Sequence, residues 1–127
     1  MLYAALAFAA IAAILHVYFF WLEAFAWTTP RGLAAFGMSP EQAKDSRGLA
    51  FNQGFYNLFL TIITALGIVL LLADKTAVGA TLFFAGTGSM AAAGLVLLVS
   101  IPALARAALI QLAPPAIAIA LLIVALV

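Results

Sequence analysis

The chain opens with an apolar run that a water-soluble fold does not tolerate: from Leu2 to Trp27 only His16 and Glu23 can ionise. A helix rises about 1.5 Å per residue and the hydrocarbon core of a bilayer is about 30 Å thick, so this run alone is long enough to cross a membrane. Three more runs of the same character follow. The predicted fold is therefore all-α, a polytopic bundle of four transmembrane helices at about 2–27, 49–73, 76–100 and 102–127, in a single membrane domain over 1–127. Composition agrees: 7% of residues are charged, where soluble domains carry about one-quarter. A net charge of +1 gives no field for nucleic acid, and the segments lack the polar face of a helix lying on a membrane surface. With no cysteine, disulfides and thiolate chemistry are excluded. The first run lacks a basic n-region and continues past signal-peptide length, so it reads as a retained helix.

Between the first two spans, residues 28–48 hold Pro30 and the charges Arg31, Glu41, Lys44, Asp45 and Arg47, which predicts a wet loop. Within it, Ser39-Pro40-Glu41-Gln42 has the pattern of a capped helix start, and a short surface helix is expected to lead into the second span. Asp74-Lys75 predicts a tight turn. In the third span Ala85, Ser89 and Ala93 recur every four residues, as do Gly86, Met90 and Gly94; such stripes let backbones approach in lipid, so this span is expected to be the most buried. Pro114-Pro115 predicts a kink in the fourth. Basic residues are retained on the cytoplasmic side. Arg31, Lys44, Arg47 and Arg106 share one face and Lys75 stands alone on the other, which predicts both termini outside and the first loop in the cytoplasm, the membrane being a bacterial inner membrane.

The unusual residues then fall in one half of the bilayer. Glu23 lies about 10 Å below His16 on the first span. At 100° per residue His16, Phe20, Glu23 and Trp27 share a stripe with Ala5, Ala9 and Ala12. Asn52, Gln53, Tyr56 and Asn57 open the second span at the same depth, and Arg106 and Gln111 enter on the fourth. A charged group at the centre of a span costs about 2.5–3.5 kcal/mol, so an intramembrane glutamate marks a candidate functional site. Glu23 and His16 are the candidate catalytic groups, with burial and nearby positive charge competing to set the proton affinity of Glu23. Phe20, Trp27, Asn52, Gln53, Tyr56, Asn57, Gln111 and Arg106 are the candidate ligand contacts.

Each also has a plainer reading. Glu23 can be an interfacial carboxylate that caps a hydrogen-bond network or pairs with Arg106 or Lys44, and His16 and the amides can simply join helices. Tyr18, Phe19, Phe20, Trp21, Phe25 and Trp27 suit an interfacial belt, and Arg106 can snorkel to the headgroups. One His and one Glu fall short of the three strong ligands of a zinc site, so no metal is expected. No cofactor fingerprint is found either, Gly86-Thr-Gly88 being a packing feature of an apolar helix.

Two strings, His16-Val-Tyr-Phe-Phe-Trp-Leu-Glu23-Ala-Phe-Ala-Trp27 and Asn52-Gln-Gly-Phe-Tyr-Asn57, resemble those of domain-of-unknown-function family 1304, an uncharacterised family of small bacterial integral membrane proteins. The resemblance covers nearly the whole chain. It implies a four-helix membrane protein and carries over His16, Glu23, Trp27, Asn52, Gln53, Tyr56 and Asn57 as family positions, without implying an activity.

Three functions compete. In the first, a small, largely apolar or amphipathic ligand enters from the lipid bilayer into a polar cavity, where Glu23 or His16 moves a proton in a cofactor-independent isomerisation or hydration. In the second, Glu23 alternately binds a proton and a cationic solute in a transporter that works as a homodimer. In the third, the protein is a non-catalytic accessory membrane subunit whose polar cluster specifies packing.

Overall fold

Apolar runs of this length must satisfy their backbone internally, and they do so as helices. A computed structural model, describing residues 1–127, contains α1 (Leu2–Ala24), α2 (Pro30–Phe36), α3 (Pro40–Leu72), α4 (Thr76–Ser100) and α5 (Ala105–Leu126). A 3₁₀ turn, Pro102–Leu104, opens α5. The fold is all-α, and four helical segments are long and apolar enough to span a membrane. The chain reads as a multi-pass membrane protein.

The segment between the first two spans departs from expectation. The wet loop expected over 28–48 is largely helical, because α3 begins at Pro40 and runs unbroken to Leu72. Its start is the anticipated capping box: the Gln42 N–H donates to Ser39 Oγ at 3.2 Å, and the Ser39 N–H donates to Gln42 Oε1 at 2.9 Å. Nothing after that start terminates the helix, Gly48 included. A short helix, α2, precedes it, as expected between the first two spans. Thr29 caps α2, with Pro30 at the first helical position and the Gly32 N–H reaching Thr29 Oγ1 at 3.4 Å. Gly37 ends it at φ 62°, with the Met38 N–H on the Leu33 carbonyl.

The chain forms two compact units, Met1–Leu15 with Leu60–Val127, and His16–Phe59. In the first, parts of α1 and α3 join α4 and α5 in a four-helix bundle whose core holds Ala5, Leu6, Ala9, Leu71, Phe83, Ala118 and Leu122. The α3–α4 turn closes on Asp74, at φ 58°, with the Lys75 N–H on the Leu70 carbonyl. Of the two small-residue stripes on α4, packing uses the one with Gly86, Met90 and Gly94, which are buried, while Ala85, Ser89 and Ala93 are exposed. The reason is backbone proximity. A Cβ on Gly67 would lie 2.8 Å from Phe83 Cα, and one on Gly86 would strike the Thr64 hydroxyl. The helix with the largest buried share is nonetheless α1, 39% of its apolar stretch against 28% for α4, because its alanines at 5, 9 and 12 are fully covered. Helix α5 runs on through Pro114 and Pro115.

Candidate functional site

The second unit, His16–Phe59, carries most of the polar residues singled out from sequence. Here the end of α1 meets the first half of α3, and Gly54 sets their spacing: a Cβ there would come within 3.1 Å of Ala24 N and of the Phe20 carbonyl oxygen. One turn beyond Gly54, buried Asn57 donates from Nδ2 to Glu23 Oε2 at 2.7 Å. That bond joins the two helices one turn from the glycine at which their backbones come close.

Below this pair the chain turns back on itself at Trp27. Its indole N–H donates to Ser46 Oγ at 3.0 Å, and Ser46 Oγ donates onward to the Gln42 carbonyl at 2.7 Å. Phe36 of α2 packs on the same indole, ring centroids 4.8 Å apart. Gly32 permits this return, since a Cβ there would meet the carbonyl groups of Ala26 and Trp27. The side chain of Trp27 is thus fixed from both α2 and α3.

Between Glu23, Trp27 and the facing turns of α3 lies a cleft of about 340 Å³, walled further by Ser46, Leu49, Ala50, Asn52 and Gln53. Its polar lining is one carboxylate, two amides and a hydroxyl. No Lys, Arg or His contributes, so the site suits a hydrogen-bond donor or a cation better than an anion. Asn57 holds one carboxylate oxygen of Glu23, while the other makes no hydrogen bond to protein.

The candidate residues therefore divide. Glu23, Trp27, Asn52 and Gln53 share the cleft wall, and Asn57 supports it from behind. His16 is wholly buried on α1, with its ring edge-on to Phe19 at 5.2 Å, and does not line the cleft. Phe20 packs against Phe55 and Phe25 at 5.1 and 5.4 Å. Tyr56 is exposed and outside the lining. Arg106 walls a different cleft, in the other unit, and Gln111 is half-buried on α5. Glu23 takes its side-chain hydrogen bond from an amide, Asn57, rather than from Arg106 or Lys44.

Ser46, Leu49 and Ala50 were not anticipated. The signal was present: Ser46, Leu49, Ala50 and Gln53 follow the i, i+3, i+4, i+7 spacing of one helix face, visible once α3 is taken to begin at Pro40. No curated protein and no solved structure matches the chain. The profile of the family described as protein of unknown function (DUF1304) matches residues 10–123, a stretch that takes in the whole cleft, and the chain belongs to that family.

Proposed function

We propose that the protein binds a small, largely apolar ligand with one polar head in the cleft at Glu23, in the cytoplasmic half of the membrane, and exchanges a proton with it through that carboxylate. The observation that carries this reading is the pairing at 2.7 Å of Glu23 with Asn57 on the wall of an open cleft. One oxygen is fixed by the amide and the other is left for a ligand. Trp27 offers an aromatic face, and Leu49 and Ala50 offer apolar surface for the body of the molecule. Asn52 and Gln53 supply donors that can stabilise negative charge developing on a substrate oxygen. Isomerisation and hydration fit this set, since both need only a proton donor and acceptor held beside the substrate. In this reading His16 serves helix packing, and both termini face outward, as the basic residues direct.

The test uses dicyclohexylcarbodiimide, a small apolar reagent for carboxyl groups in membranes. Intact mass of the detergent-solubilised protein should show one adduct, located at Glu23 and lost in Glu23→Gln. Leu49→Trp, which fills the cleft, should slow its formation. Organic extracts of the purified protein should contain a small molecule that both variants lose. An unreactive Glu23, together with identical extracts from parent and variants, would remove the basis for a ligand site. If the recovered molecule is moved across liposome membranes by a pH gradient and left chemically unchanged, the function is transport and the acid–base chemistry is wrong.

A further inference from the structure

The first unit has its own cleft, and none of the site just described explains it. It is an open groove of about 720 Å³ lined by Leu15, Arg106, Leu109, Ile110, Ala113 and Pro114. Five of these fall at i, i+3, i+4, i+7 and i+8 along α5, one face of the helix. From Arg106 to Pro114 that face extends about 12 Å. It is apolar throughout except at Arg106, the one charged residue of α5, which stands in its first turn. A cation at the end of a span, heading an apolar groove directed toward the middle of the membrane, matches the form of an anionic lipid.

We propose that this groove binds an anionic phospholipid, its phosphate on the Arg106 guanidinium and one acyl chain along Leu109, Ile110, Ala113 and Pro114. Charge decides between a lipid and the other available occupant, a second copy of the chain. No carboxylate lines the groove, and neither α5 nor the Met1–Leu15 part of α1 contains an Asp or Glu. A symmetric pair of these faces would therefore bring two arginines toward each other without a counter-ion. A phosphodiester supplies the missing charge on two non-bridging oxygens, which the planar guanidinium fork can bind together. Simple snorkelling of Arg106 would draw on the same surface attraction but would make no use of the groove.

Native mass spectrometry of the full chain in detergent, titrated with dioleoyl phosphatidylglycerol and dioleoyl phosphatidylcholine, separates these readings. The parent protein should retain phosphatidylglycerol about fivefold better, the effect of roughly one basic contact at an anionic surface. Arg106→Gln should lose that preference. Lys75→Gln, at the opposite turn, should keep it. Ala113→Trp adds bulk at an exposed position of the groove, so it should lower occupancy by both lipids while helicity is unchanged. Equal retention of the two lipids by the parent, a preference surviving Arg106→Gln, or occupancy indifferent to Ala113→Trp would each overturn the proposal. A dimer that Ala113→Trp dissociates without altering lipid retention would overturn it in favour of a second copy.

Discussion

Replacing Gly54 with alanine tests whether the approach of α1 to α3 governs the Glu23 site. The new Cβ would lie 3.1 Å from Ala24 N, 3.1 Å from the Phe20 carbonyl oxygen and 3.2 Å from Glu23 Cβ, whereas unstrained carbon contacts fall at about 3.5–4.0 Å. Two of the three obstacles are main chain and cannot rotate aside, so the helices must part by a few tenths of an ångström. Overpacking of this kind costs about 1–3 kcal/mol, against about 0.5–1 kcal/mol gained by alanine over glycine in a helix. Gly48 is the control, since it lies in the same helix and a Cβ there meets nothing within 4 Å. Gly54→Ala should therefore be less stable than Gly48→Ala by about 1–3 kcal/mol in SDS-induced unfolding from mixed micelles. Parting the helices also stretches the 2.7 Å Glu23–Asn57 bond, so carbodiimide should modify Glu23 faster in Gly54→Ala. Equal stabilities and equal rates for the two variants would refute the idea that this glycine sets the site.

Three further substitutions probe the scaffold by the same unfolding assay. Gly86→Ala should destabilise by about 1–3 kcal/mol, because its Cβ would strike the Thr64 hydroxyl and reach 3.0 Å from Thr64 N; Gly88→Ala, with open space around it, should not. Asp74→Gly should stabilise by about 0.5–1 kcal/mol by relieving the left-handed φ of 58°. Ser39→Ala removes the cap of α3 and should cost about 1 kcal/mol, with faster amide exchange at Gln42, whose N–H it frees.

The membrane-spanning architecture was legible because lipid imposes a simple rule. Length and apolarity alone pick out the spans, and each was found within a few residues except at the start of α3. The difference there has a physical cause: charged residues suggest a loop, yet Glu41, Lys44, Asp45 and Arg47 are acceptable on a helix that extends beyond the hydrocarbon into water. Propagating the capping box at Ser39 would have recovered α3 and the Ser46 face of the cleft together. Rotation on α1 was readable as well, since Ala5, Ala9, Ala12 and His16 are all fully buried on the expected stripe. Rotation on α3 was not, because its four polar residues spread too widely to define a face. Only contact with α1 separates buried Asn57 from exposed Tyr56. For α4 the sequence offered two equivalent small-residue stripes, and the choice between them lies in the tertiary fit of Thr64 and Phe83 against the glycines.

Polar groups are satisfied in two ways, within one helix or across to another segment, and the difference bears on function. On α4 the hydroxyls of Thr81, Thr87, Ser89 and Ser100 each donate to the carbonyl four residues back, so they require nothing of a neighbour. Other bonds cross from one segment to another, Glu23 with Asn57, Trp27 with Ser46 and the Thr61 hydroxyl with the Ala13 carbonyl. An interhelical polar contact in lipid returns about 0.6 kcal/mol on average, while a carboxylate at the centre of a span costs about 2.5–3.5 kcal/mol and less near its end. Glu23 lies near the end of α1, so the pair is neutral or costly to the fold according to how far the insertion cost there exceeds that return. Replacing the pair by Glu23→Leu with Asn57→Leu should therefore leave the protein as stable as the parent or up to about 2 kcal/mol more stable, while abolishing carbodiimide labelling and retention of the extracted ligand. A double variant markedly less stable than the parent would mean that the polar pair is itself a fastening of the fold, and the energetic reason for assigning Glu23 a function would be gone.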